Sequence, residues 1–159
     1  MNEALAPLAA GSVAPPLPPE HWLPRPPRAP ARVLLCFLPL AGAPVCTGDV
    51  RALVAVAGEL LRDVDAIVVA SVDRGEPLRR FLDGQGGQRL HACPDPALGL
   101  ARAFGVAWPQ RFAARASFLL AAGPGGLAAG GVVRAGAVHP IAFNRPLDQL
   151  RSWLRLPPG

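Results

Sequence analysis

The longest unbroken apolar stretches are short. Val33 to Leu38 runs without a polar side chain and stops at Pro39, and Ala66 to Val72 is interrupted only by Ser71. Runs of this length with no alternation predict strands covered on both faces of a parallel or mixed sheet. From Asp49 the spacing changes to a helical one: Val50, Leu53, Val54, Ala57, Leu60 and Leu61 fall on one face, while Arg51, Glu59 and Arg62 fall on the other. Glu76 to Leu82 reads as a short helix ended by Asp83-Gly84, Arg89 to Cys93 as a short strand, and Pro96 to Phe104 as a further helix. Ala116 to Ala121 and Gly131 to Arg134 are predicted strands of a hairpin turned at Gly123 to Gly126, and Pro146 to Leu154 the closing helix.

The order is strand, helix, strand, helix, strand, helix, hairpin, helix. It predicts an α/β thioredoxin-like fold, a central mixed β-sheet with helices on both faces. Between Pro15 and Pro30 prolines dominate. Proline lacks an amide donor and biases its neighbours towards extended backbone, so regular structure is expected to be scarce there. The division expected is a proline-rich N-terminal arm over residues 1–31, held down by Trp22, and a thioredoxin-like domain over residues 32–159.

Composition narrows the function classes. At 159 residues, 51% of them hydrophobic and 17% charged, the chain can bury a core of its own as one globular unit. The formal charge is +5, but every one of the 16 basic residues is arginine. With lysine and tyrosine absent and Ala, Gly, Pro and Arg abundant, a GC-rich coding bias accounts for them. The arginines form no stripe or patch of the kind nucleic acid needs, and Arg79-Arg80 read as a solvated helix face beside Glu76 and Asp83. No nucleic-acid partner is expected. No apolar run has membrane-spanning length and the first residues lack the charged and apolar parts of a signal peptide, so the expectation is a cytoplasmic protein with no membrane partner.

The three cysteines form neither a CxxC pair nor a disulfide framework. His91 and Cys93 alternate on a predicted strand with no third or fourth ligand at fixed spacing, so no metal and no cofactor is expected. His139 and His21 are expected in exposed loops. Cys36 lies inside the first strand and reads as a small buried hydrophobe.

The segment from Phe37 to Arg51, with Pro39, Cys46, Thr47 and Asp49, resembles the active-site loop and helix start of the peroxiredoxins, whose signature is PxxxTxxC. Ala43 stands where that pattern has threonine. Ala66 to Asp73 resembles the family's strand ending in SVD, Asp95 to Val106 its "DP…ARAFGV" helix, and Arg115-Ala116-Ser117-Phe118 the strand that carries its active-site arginine. Together these cover roughly residues 32–155, with the bacterioferritin-comigratory and one-cysteine alkyl hydroperoxide reductase E types as the most similar subgroups.

The resemblance implies a thiol-dependent peroxidase reducing hydrogen peroxide or organic hydroperoxides. Cys46 is the implied nucleophile, forming a sulfenic acid, and Arg115 the implied stabilising charge. Pro39 is the implied shield and Val45 a backbone donor, with Asp49 and Thr47 in the shell behind them. A helix amino end favours an ionised thiol, which is what the chemistry wants of Cys46. The sulfenic acid then needs a thiol. An external thiol or a thioredoxin- or glutaredoxin-like reductant is the first expectation. Cys93 is a candidate resolving residue, because its strand end is expected on the same side of the sheet as Cys46. A homodimer is a further expectation. The alternative reading is a non-enzymatic or weakly active thioredoxin-fold redox sensor or interaction protein, with Ala43 as the feature in its favour.

Overall fold

The computed structural model describes residues 5–108 and 111–157. Eight strands are formed there: β1 (Val13–Ala14), β2 (Arg32–Phe37), β3 (Ala66–Ser71), β4 (His91–Pro94), β5 (Ala107–Trp108), β6 (Phe112–Ala113), β7 (Ala116–Ala122) and β8 (Gly131–Val138). The helices are α1 (Pro44–Leu60), α2 (Gly75–Gly84), α3 (Gly99–Ala103) and α4 (Leu147–Leu154). Six strands make one mixed sheet in the order β1-β8-β7-β2-β3-β4, and β5 and β6 form a separate two-stranded ribbon. The β2–β3 and β3–β4 pairs are parallel, with α1 and α2 as their crossovers, and β7 pairs antiparallel with β2 and β8.

The apolar runs in β2 and β3 are explained by two cores. Successive strand residues point to opposite faces. Val33, Leu35 and Phe37 with Val68 and Ala70 enter one core; Leu34, Cys36 and Leu38 with Ile67 and Val69 enter the other. The second core is closed by α1, α2 and α4 through Val50, Leu53, Leu60, Leu78, Leu82 and Leu150. In the first, Phe37, Phe104 and Phe118 stack with ring centroids 4.9 to 6.0 Å apart in tilted or edge-on contacts, the geometry that aromatic quadrupoles favour. There α3 covers part of the face through Ala101. Helices therefore lie on both faces, but very unequally.

The proline-rich segment adds to that cover. β1 pairs with β8 at one edge of the sheet, and Leu23 bridges to Ala92 of β4 at the other. The chain between them crosses the face and buries Leu17 and Trp22, each 1% exposed. Prolines suit this path because each carries one fewer backbone donor to satisfy over an apolar surface. Among the remaining amides, Leu17 N–H pairs with the Leu127 carbonyl at 2.8 Å and Leu23 N–H with the Ala92 carbonyl at 2.8 Å.

Arg79 differs from its expected place on a solvated face. Its guanidinium donates to the carbonyls of Leu23, Leu90 and Gly87 as well as to Asp83, tying α2 to the arm and β4, while Arg80 is exposed. Among the described residues no helix is long and apolar enough to cross a membrane.

Candidate active site

β2 ends at Phe37, and one more backbone bond, Leu38 N–H to the Ala70 carbonyl at 2.8 Å, holds the chain to β3 before it leaves the sheet. The loop that follows is fastened from below: the Asp73 carboxylate accepts from the Ala41 amide at 2.7 Å and from the Ser71 hydroxyl. Pro39 is buried in this loop. At Gly42 the backbone takes φ +85°, a left-handed turn that a residue without Cβ adopts at little cost, and the chain then enters α1.

Ala43 is the N-cap residue and Pro44 occupies the first turn, where its missing amide costs nothing. The helical ladder begins with Thr47 N–H on the Ala43 carbonyl at 2.9 Å. This leaves the amides of Val45 and Cys46 ahead of the ladder, at the positive end of the helix dipole. Cys46 is in that first turn and 1% exposed. Ala43 provides no side-chain cap. The hydroxyl of Thr47 does not replace one, since it donates back to the Ala43 carbonyl at 3.1 Å.

Ala43→Thr is accordingly expected to stabilise the protein by about 0.5–2 kcal/mol through the restored cap. It is also expected to speed Cys46 oxidation tenfold, equivalent to about 1.4 kcal/mol. Urea unfolding and stopped flow on the same preparation read the two effects, and an unchanged midpoint would show that the hydroxyl does not cap.

Asp49 lies three residues after Cys46, so both face the same side of α1. Arg115, between β6 and β7, is 1% exposed and reaches both: Nη2 donates to Cys46 Sγ at 3.4 Å, and Nη1 to Asp49 Oδ2 at 2.6 Å. Nη2 also donates to the Ile141 carbonyl at 3.0 Å, and Nε has no partner among the described residues. The structure thus brings together Cys46, Arg115, Asp49, Pro39, Val45 and Thr47 around the start of α1.

One residue of this cluster escaped the sequence reading. Arg145, 2% exposed, donates to Asp49 from Nε at 3.0 and 3.1 Å and from Nη2 at 2.8 Å. Its remaining hydrogens go to the carbonyls of Phe37 and Ala116 and to Ser117 Oγ, and its backbone amide also binds Asp49. It ties the end of β2, the start of β7 and α1 into one unit. Only its place directly before Pro146 and α4 distinguishes it in a chain with 16 arginines.

The electrostatics follow from this pairing. Burial alone would raise the Asp49 carboxyl, but the charge and hydrogen bonds of Arg145, with the charge of Arg115, hold it below the usual carboxylate range. Burial works against the Arg145 charge as well, yet Cys36 and Asp49 raise it above its ordinary value. The buried set holds two guanidiniums and one carboxylate. Its excess of one positive charge faces Cys46.

His139 was expected in an exposed loop and is instead 5% exposed, because β8 runs to Val138, beyond the expected Arg134, and carries it inward. Its Nε2 lies 2.9 Å from Ser117 Oγ. Burial, then the charge of Arg145, pushes its imidazole down to about 4, so it is neutral near pH 7.

Cys93 does sit at the carboxyl ends of the parallel strands, in register with Ala70. Its side chain, however, packs in the core with Leu17, Trp22 and Ala70, on the opposite face of the sheet from Cys46. Burial and the charge of Asp95 push its thiol up to about 12. The structure does not bring it to Cys46. Cys36 is fully buried, and that burial raises its thiol.

Several solved structures share this arrangement of elements. Peroxidoxin BcpB from Mycobacterium tuberculosis aligns with a TM-score of 0.70 over 93% of this chain and 97% of its own, at 18% identity. The fold is that of the peroxiredoxins. Reduced Prx3 from Vibrio vulnificus, solved with H2O2, aligns with a TM-score of 0.69 at 16% identity, over 94% of this chain and 97% of its own. The Plasmodium vivax 2-Cys peroxiredoxin aligns at 0.63 and 21% identity over 79% of this chain, which spans 63% of that longer protein. No protein-family model and no curated protein sequence matches the chain. On the peroxiredoxin fold, Cys46 occupies the first turn of the helix that follows a central strand.

Proposed function

We propose that this protein is a thiol-dependent peroxidase with Cys46 as its nucleophile. The observation that carries the reading is the Arg115 guanidinium, which spans from Asp49 to within 3.4 Å of Cys46 Sγ. A thiolate at Cys46 makes the buried set of Arg115, Arg145 and Asp49 neutral. In the reaction Sγ attacks the terminal oxygen of a hydroperoxide and the O–O bond breaks. The S–O bond forms, and the departing oxygen takes a proton from solvent and leaves as water or an alcohol. Arg115 and the amides of Val45 and Cys46 stabilise the negative charge on that oxygen, where preorganised donors are worth most. Pro39 keeps water from the sulfur. Cys46 has then lost two electrons to the peroxide, and an external dithiol restores it from the sulfenic acid.

The test is addition of one equivalent of hydrogen peroxide or an organic hydroperoxide to reduced protein, followed by mass spectrometry. A gain of one oxygen on Cys46 is expected, and it is expected to remain in Cys93→Ser because that thiol packs on the other face of the sheet. Oxygen on Cys36 or Cys93 in its place would overturn the assignment.

A second reading draws on Ala43 and on the turned-back hydroxyl of Thr47: a redox sensor whose Cys46 is oxidised without turnover. Steady consumption of peroxide in the presence of a dithiol selects the enzyme, and a single stoichiometric event selects the sensor.

A further inference from the structure

Between the proline arm and the turn that joins β7 to β8 lies a cavity of about 320 Å³, open to solvent on one side. One wall is the arm from Arg25 to Pro30, and the other is the turn from Gly125 to Ala128. Arg25, Arg28 and Glu20 are its only ionised side chains, and none of the three has an ion-pair partner among the described residues. We infer that this cavity binds a small phosphate monoester, with the phosphate between Arg25 and Arg28 and the organic part against the prolines and Leu127.

The walls are set before any ligand arrives. Four of the lining residues are proline, whose ring fixes φ near about −65°, and Gly126 holds the opposite wall in a left-handed turn at φ +75°. Both walls are fastened to the body. Leu17 N–H bonds the Leu127 carbonyl at 2.8 Å and Ala122 N–H bonds the Ala31 carbonyl at 2.7 Å, while Pro30 and Leu127 are buried. A rigid site spares the ordering that binding would otherwise cost. The arginines themselves are exposed and unpaired, so a ligand takes up their donors without breaking an existing ion pair.

Charge selects the class of ligand. A phosphate monoester carries about −1.5 to −2 near pH 7 and offers three strong acceptor oxygens, which matches two guanidiniums with their forked donors. A monocarboxylate would leave one arginine unmatched. Glu20 repels any further anion, so a run of phosphates such as a nucleic-acid backbone does not fit. The volume lies at the lower end of small-molecule sites, about 300–1,000 Å³, and leaves room beyond the phosphate that is walled by Pro26, Pro27, Pro30 and Leu127. That room takes a compact apolar body by removing apolar surface from water. The cavity lies where β2 begins and β7 ends, whereas Cys46 follows the other end of β2. Six strand residues lie between, roughly 20 Å at about 3.3 Å per residue. The ligand therefore does not touch the sulfur, and the site is independent of the peroxidase reading.

The experiment is isothermal titration calorimetry of the full chain at low salt, where charge pairing is least screened, with phenyl phosphate, inorganic phosphate and phthalate as probes. Phenyl phosphate is expected to bind about tenfold more tightly than inorganic phosphate, through the apolar contact of its ring. Arg25→Gln and Arg28→Gln are each expected to weaken it by about tenfold, the scale of one charge-assisted hydrogen bond. Arg80→Gln, exposed on α2, is expected to leave it unchanged. Ala128→Trp, at an exposed wall position, fills the cavity and is expected to abolish the preference for phenyl phosphate over inorganic phosphate. Unchanged urea midpoints in the two arginine variants would show that the loss is of binding and not of folding. The inference is overturned if phenyl phosphate does not bind or binds no better than inorganic phosphate. It is equally overturned if phthalate, a dicarboxylate, binds more tightly, or if Arg80→Gln weakens binding as much as Arg28→Gln.

Discussion

Asp49→Asn is expected to destabilise the protein by about 3–5 kcal/mol, the cost of removing one partner from a buried ionic set. Asparagine keeps the shape but not the charge. Arg115 and Arg145, 1% and 2% exposed, would then face each other and the protein interior without the carboxylate they share. The loss should be read from urea unfolding near pH 7, with Arg145→Met and the double variant completing a cycle. Asp49→Asn combined with Arg145→Met is expected to be more stable than Asp49→Asn alone, because it removes one of the two orphaned charges. If Asp49→Asn costs less than about 1 kcal/mol, the value of an exposed pair, the network does not hold the fold as described.

Acid should narrow the gap between the unaltered protein and Asp49→Asn. The folded Asp49 carboxyl is held below its ordinary value, with Arg145 and Arg115 overcoming the opposite pull of burial. Its contribution is therefore complete above the unfolded value of about 3.9 and lost as pH falls through the lower folded one. His139 acts at higher pH. Buried and pushed down to about 4, it stays neutral while the unfolded chain takes up a proton at about 6.5. Stability is thus lost between those two values in both proteins, ahead of the Asp49 loss.

Arg115→Gln is expected to slow the oxidation of Cys46 by about 10²–10³, the cost of removing one preorganised donor from a site where charge develops. Stability should change less than in Asp49→Asn, because Asp49 keeps its bonds to Arg145. That contrast separates the two residues: Asp49 acts on the fold and on Arg115, whereas Arg115 touches the sulfur. Arg115→Lys restores the charge but not the two-pronged reach from Asp49 to Sγ, so an intermediate rate is expected. A rate for Arg115→Gln within threefold of the unaltered protein would show that the 3.4 Å contact is packing without electrostatic consequence.

Much of the site was legible in the order of residues, because its parts are determined locally. Pro39 ends an apolar run, and the resemblance puts Cys46 at the start of the helix whose apolar face is read from Asp49; the structure begins that helix at Pro44, with Cys46 in its first turn. Asp49 follows it onto the same face through helical spacing. Arg115 was legible by resemblance and by its place at the head of β7. Arg145 was not, since it meets Asp49 across 96 residues and carries no local mark. The exposure expected of His139 failed for a related reason: four further residues of β8 pair with β7, and a partner strand, not local composition, decides where a strand ends.

The sequence by itself determined the two faces of β2 and β3, the amphipathic face of α1, the order of elements and, by resemblance, the placement of Cys46 at a helix start. All of these depend on side-chain periodicity, steric limits at proline and glycine, and the unpaired amides of a helix end, which act within a few residues. Only the tertiary structure decided that the proline arm crosses the sheet from β8 to β4, that Cys93 faces away from Cys46, and that Arg145 shares Asp49 with Arg115. Each of these is a through-space choice among many similar residues, settled by which arrangement leaves no buried charge unpaired and no apolar face uncovered.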